Sequence, residues 1–136
     1  MRRDLPWLLA LLTLAAPLPG QTRPGHVYGL SYFQALPGKG DAYNKALSDV
    51  SLPIFDEMVK RKTMVSYVAL NQVSGAGEYS HVFVLEFSDW ATFGAFVARR
   101  NEATQAVLHK TWSEAIADFV ELRRFIRSET YTPAGQ

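Results

Sequence analysis

Apolar and polar positions along this chain repeat with two different periods, and the switch between them is sharpest across residues 78–96. Residues 79–87 are dense in aromatic and β-branched side chains and too few for a typical helix, which predicts a strand covered on both faces. Ser88-Asp89 ends it. Asp89 is placed to accept a backbone N–H two or three positions on, and Trp90, Phe93, Phe96 and Val97 then recur at helical spacing. Upstream, residues 27–35 read as the first strand, closed by Pro37-Gly-Lys-Gly40. Asp41 is expected to cap a helix whose apolar positions are Tyr43, Ala46, Leu47 and Val50. Pro53 interrupts that helix, and a second piece carrying Ile54, Phe55, Met58 and Val59 continues at a kink. Lys60-Arg-Lys62 suits its C-terminal end.

Residues 63–73 are predicted as the second strand, joined to the third by the hairpin-length loop at 74–78. After the Trp90 helix the pattern predicts a bend at 99–103 and a helix bearing Val107, Leu108, Trp112, Ala115 and Ile116. A last strand at 119–127 and a frayed tail from Ser128 complete it. The order is β-α-β-β-α-β, an α+β ferredoxin-like plait with a four-stranded antiparallel sheet and helices on one face. The strands are apolar on both faces, as Phe83, Leu85 and Phe87 set against Val82 and Val84 show. Helices on one side leave the other face in water, so a second covering surface is expected, and a sheet-to-sheet homodimer supplies it.

The N-terminus is set apart by composition. Arg2 and Arg3 lead into an apolar stretch about 14 residues long, against the roughly 20 a spanning helix needs, followed by Pro17-Leu-Pro-Gly20. This reads as a secretory signal peptide over residues 1–20, cut after Gly20. A short polar lead at 21–26, a domain at 27–128 and a flexible tail at 129–136 follow. The leader removes Arg2, Arg3 and Asp4 from 14 basic and 13 acidic side chains, leaving twelve of each. A neutral mature chain argues against nucleic acid and anionic membrane as partners. The chain has no cysteine, which excludes disulfides, thiol nucleophiles and a lipidated cysteine anchor. Export to a bacterial periplasm or medium fits these features, with no membrane span left once the leader is gone.

Two segments carry a family likeness: Tyr32-Phe-Gln-Ala-Leu-Pro-Gly-Lys-Gly-Asp-Ala-Tyr43, where a strand breaks at Pro-Gly before a helix, and Phe83-Val-Leu-Glu-Phe-Ser-Asp-Trp-Ala-Thr-Phe93. On these the chain resembles the dimeric α/β-barrel superfamily. That group includes antibiotic-biosynthesis-type monooxygenases, haem-degrading monooxygenases, stress-responsive barrel proteins and NIPSNAP-like proteins. The resemblance spans about residues 27–128 and implies two sheets paired into a barrel, with a pocket in each subunit between sheet and helices. Its activities run from oxygenation to no known chemistry.

The haem-degrading branch uses an Asn on the first strand with a Trp and a His on helices. His109 and Trp112 are spaced to share a helix face, but residues 27–35 contain no Asn. The cofactor-independent monooxygenases use Asn, Trp, Tyr or Arg groups, residue types found here as Asn71, Trp90, Tyr67 and Arg124 without a diagnostic motif. His81 and Glu86 lie five apart on one strand and so point to opposite faces, which rules them out as one acid-base pair. A cross-sheet Arg such as Arg124, or a Lys, is expected to neutralise Glu86. Tyr28 and Tyr32 share a face that suits an interface. His26, His81 and His109 show no metal-ligand spacing, and neither a metal nor a cofactor is expected. The candidate pocket is Tyr32, Tyr67, His81, Trp90 and Trp112, and the catalytic candidates are His81, Asn71 and Arg124. Three readings stay open: a binder of a small apolar or aromatic molecule, a cofactor-independent monooxygenase-like enzyme, and a structural or interaction module whose pocket its own side chains fill.

Overall fold

The computed structural model describes residues 23–75 and 77–135, so the signal-peptide reading lies outside the described residues. Strand β1 (Val27–Ala35) is followed by α1 (Gly40–Ala46), a π-helical turn (Leu47–Ser51) and α2 (Leu52–Lys60). Strands β2 (Ser66–Asn71) and β3 (His81–Phe87) form the expected hairpin. Helices α3 (Trp90–Gly94), α4 (Phe96–Leu108) and α5 (Trp112–Ala115), a 3₁₀ turn (Ala117–Glu121) and β4 (Arg123–Tyr131) complete the order. The sheet runs β2-β3-β1-β4 with every neighbouring pair antiparallel, and the helices pack on one face. Among the described residues no helix is long and apolar enough to cross a membrane.

Register divides each strand between two environments. Val27 pairs with Phe87, Gly29 with Leu85, Ser31 with Phe83 and Phe33 with His81, which turns these odd-numbered side chains toward the helices. Val27, Phe87, Ile54, Met58 and Tyr43 are fully buried there. Phe87 is the hub, with the Phe93 and Phe96 rings edge-on to it at 5.3 and 5.5 Å. At Gly29 a β-carbon would lie 3.3 Å from the Phe93 ring, a tight approach that glycine avoids. The break after β1 uses Gly38, whose φ of +73° is open to glycine at no steric cost. Asp89 caps α3 as expected, its carboxylate accepting the Thr92 N–H at 2.7 Å.

Several boundaries differ from the sequence reading. Asp41 does not cap α1; it lies inside the first turn, where its charge favours the positive end of the helix. As expected, α2 is a second helical piece: Pro53 stands in its first turn, where its missing N–H costs no bond, and the π-helical turn at Leu47–Ser51 joins it to α1. The expected bend at 99–103 is α-helical, since Ala, Arg and Glu there are strong helix formers and Arg99 pairs with Glu102 at 2.9 Å. The chain turns instead at His109, which takes left-handed backbone (φ 55°) and separates α4 from α5, so His109 and Trp112 do not share a helix. Thr111 and Glu114 then close a capping box. Phe119 is buried in the 3₁₀ turn rather than in a strand, and β4 continues to Tyr131 where a frayed tail was expected.

Phe87→Ala is expected to lower unfolding stability by about 3 to 5 kcal/mol in urea denaturation, and Phe87→Leu by clearly less. A loss below about 1 kcal/mol for the alanine variant would remove Phe87 from the centre of the core.

Candidate functional site

Between the helix layer and the sheet lies a partly open cavity of about 90 Å³. Its apolar walls are Phe33 from β1, Phe83 and Leu85 from β3, Phe55 from α2, Phe96 from α4 and Trp112 from α5. Ser31 and Ser51 contribute hydroxyl groups, and Ser51 sits in the π-helical turn just before Pro53. A second cavity of about 180 Å³ shares Ser31, Leu85 and Phe96 with it and reaches Gly29, Phe87 and Phe93. On the outer side, Arg100 and Trp112 also border an open groove along α4 and α5.

Two arginines line the first cavity, and each reaches it for a local reason. Arg100 lies on the inner face of α4, with its guanidinium 4.1 Å from the Trp112 ring centre and 5.3 Å from that of Phe96. Its Nε is buried and has no hydrogen-bond acceptor among the described residues. Arg123 opens β4. A bulge lets Tyr32 pair with Arg127 and Phe33 with Phe125, so one extra residue reverses the facing of β4 across that point. Arg123 is thereby turned toward the helices while Arg127 faces away. Its guanidinium lies 3.8 Å over Phe33 and 4.7 Å over Phe119, and it donates to the Tyr43 hydroxyl. Burial lowers the pKa of both guanidiniums, which nonetheless stay charged at neutral pH. Neither has a carboxylate within ion-pair distance among the described residues.

The five residues expected to form a pocket do not converge. Trp112 lines the cavity. Tyr32 faces the opposite side of the sheet, with its hydroxyl on Glu129 at 2.9 Å and the Arg127 guanidinium over its ring. Trp90 is 60% exposed. Tyr67 faces the helices, but its hydroxyl donates to Asp56 at 2.7 Å, and burial together with that acceptor pushes its pKa up to about 12. His81 is buried and both its nitrogens are engaged: Nε2 lies 3.0 Å from Asn44 Oδ1, and Nδ1 lies 2.7 Å from the Ser80 hydroxyl. The Ser80 oxygen also accepts the Ala35 N–H, and Asn71 donates to the same Asn44 oxygen. Asn44 Oδ1 is an acceptor for an Nε2–H, and the Ser80 hydroxyl can donate to or accept from Nδ1. Burial, and secondarily the Arg123 charge, holds its pKa below the ordinary histidine value. His81, Asn71 and Arg124 are not among the residues lining the cavity. In the sequence Arg99-Arg100 and Arg123-Arg124 read as charged pairs at solvated helix or strand ends. An Arg at an apolar-stripe position of α4 was the available signal for the first, and none in the sequence locates the bulge.

The other sheet face carries Leu30, Val82 and Val84 with Val68 and Leu70, the last two about half exposed. Glu86 lies on this face. Its partner is not Arg124: His26 Nδ1 meets it at 2.8 Å, Tyr28 donates to it at 3.2 Å, and Ser66 donates to its other oxygen. Arg124 pairs across from Gln34 at the far end of β1, too distant in register to reach Glu86. Burial pushes the Glu86 carboxyl up, but the three hydrogen bonds outweigh it and hold the pKa below the ordinary glutamate value.

No family model matches the sequence, and no curated protein matches it. Solved structures do share the fold. A protein from Shewanella oneidensis is 20% identical, over 82% of this chain and 93% of that one, at a TM-score of 0.54. A dabb family protein with a ferredoxin-like fold from Mesorhizobium loti is 19% identical, over 82% of this chain and 99% of that one, at 0.53. SnoaB, a cofactor-independent oxygenase from Streptomyces nogalater, is 14% identical, over 82% of this chain and 96% of that one, at 0.52. The chain thus has the ferredoxin-like α+β fold that its sequence resembles.

Because the folded pKa of Glu86 is depressed, its contribution is present above the unfolded value near 4.5 and is lost as pH falls through the folded one. Glu86→Gln should therefore cost about 1 to 3 kcal/mol at pH 7, and the gap to the parent protein should shrink as pH drops below about 4.5. Urea unfolding across pH 3–7 checks it, and a gap that does not change with pH would show that the carboxylate's charge is not what those donors stabilise.

Proposed function

We propose that this chain is a small exported homodimeric barrel protein whose helix–sheet cavity holds a small apolar or aromatic molecule. The cavity itself carries this reading: six apolar side chains from five elements surround a space that none of them fills. A module packed with its own side chains would leave no such space. The first cavity alone is smaller than the roughly 150 Å³ that accepts a benzene ring, so the ligand extends into the adjoining one. Binding is favoured over turnover because the first cavity is lined by no carboxylate and no imidazole, the Glu129 that borders the adjoining one is engaged by Tyr32, Arg127 and Tyr131, and His81 is committed to its own hydrogen bonds.

The dimer reading rests on the uncovered sheet face. Val68, Leu70 and Tyr131 are about half exposed on a face that also holds two polar clusters, Glu86 with His26 and Tyr28, and Glu129 with Tyr32 and Arg127. A second copy placed sheet to sheet buries the aliphatic stripe while these clusters stay internally satisfied. Export rests on the leader-like residues 1–20.

Toluene, phenol and benzamide titrated against the protein should give saturable NMR shifts at the Trp112 indole, and Ser31→Leu, which narrows both cavities, should abolish them. Absence of saturable shifts with any single-ring aromatic, charged or neutral, would remove the ligand reading. When the chain is expressed with its leader in a bacterium, the periplasmic fraction should contain protein starting at Gln21 with a sedimentation mass of two chains. Leu70→Glu should give one. A monomeric parent at micromolar concentration refutes the dimer, and retention of the leader in the cytoplasm refutes export.

A further inference from the structure

Two positive charges border a cavity whose other walls are rings, an aliphatic side chain and two serine hydroxyls. Taking a guanidinium out of water is costly unless a counter-charge or a full set of acceptors replaces the water. Arg123 has ring faces on several sides and the Tyr43 hydroxyl, while Arg100 has two ring faces and a buried Nε without an acceptor. The cavity wall contains no acidic side chain, so nothing in it neutralises either charge. A core that needed arginine only for packing would be expected to pair it with a carboxylate of the same chain.

Resting on the cavity reading above, we propose that the ligand is a small aromatic carboxylate, its carboxylate held between Arg100 and Arg123 and its ring directed into the adjoining cavity toward Phe93. The guanidinium fork matches a carboxylate in shape and charge and offers paired N–H donors, whereas a neutral ring offers it no acceptor. Ser31 and Ser51 supply further donors for the carboxylate oxygens. Leu85 and Phe96, shared by the two cavities, flank the ring. Entry is from the groove along α4 and α5, where Arg100 and Trp112 border both spaces.

Benzoate and its neutral isostere benzamide decide the matter, titrated by calorimetry against the protein and against Arg100→Met and Arg123→Met. Benzoate should bind at least about tenfold tighter than benzamide, and each variant should reduce that preference about tenfold. Should Arg123→Met fail to fold, as judged by circular dichroism, Arg100→Met alone decides. An unchanged preference in it overturns the proposal. Equal binding of benzoate and benzamide by the parent overturns the anion while leaving the cavity reading intact. No binding of either, nor of toluene, overturns both.

Discussion

A sheet that helices cover on one face only sets the terms for this molecule. Each strand must send alternate side chains into two different environments, and a shift of one residue exchanges them. The pairing of β1 with β3 fixes the assignment: Phe83, Leu85, Phe87 and Val27 face the helices, while Val82, Val84 and Leu30 face away. From that register follow the aromatic core around Phe87, the cavity beside it and the uncovered aliphatic stripe. Even the two polar residues of β3 obey it, His81 turning inward to Asn44 and Glu86 outward to His26.

The bulge in β4 is the one place where this order is interrupted. With strict alternation, Arg123, Phe125, Arg127, Glu129 and Tyr131 would share a face. The extra residue splits them, placing Arg123 against Phe33 and Phe119 inside and Arg127 against Tyr32 outside. A local irregularity therefore decides which arginine reaches the cavity. The π-helical turn does similar work opposite it, presenting Ser51 where a regular helix across Pro53 would have had to break.

Strand order, the hairpin, the capped start of α3 and the opposite facing of His81 and Glu86 were all legible in the sequence, because they depend on period and on local capping chemistry. Boundaries set by competition were not. The helix at 99–103 follows from strong helix formers that a charge-rich stretch disguised as a bend, and the break at His109 needs a left-handed residue that histidine does not announce. Of the expected pocket residues, only Trp112 lines the cavity. Tyr32, Tyr67, His81 and Trp90 are the right residue types for a pocket, yet each is diverted: Tyr32 by its strand face, Tyr67 by Asp56, His81 by Asn44 and Ser80, Trp90 by its exposed helix start. The arginines that do line the cavity read as ordinary charges until the fold shows what surrounds them.

The energetics of those arginines are unequal, and the inequality is informative. Removing a guanidinium from water costs several kcal/mol, and each ring face returns about 0.5 to 2 kcal/mol. Arg123 lies over Phe33, Phe119 and Tyr43 and also donates to the Tyr43 hydroxyl, so its neighbours go far toward offsetting that cost. Arg100 has only Phe96 and Trp112, and its Nε lacks an acceptor. Arg123 is therefore a fixed part of the core that also presents charge to the cavity, whereas Arg100 is partly exposed and keeps a buried Nε without an acceptor. Since Trp112 and Arg100 also border the outer groove, the residue with most to gain from an anion is the one an entering anion would meet first.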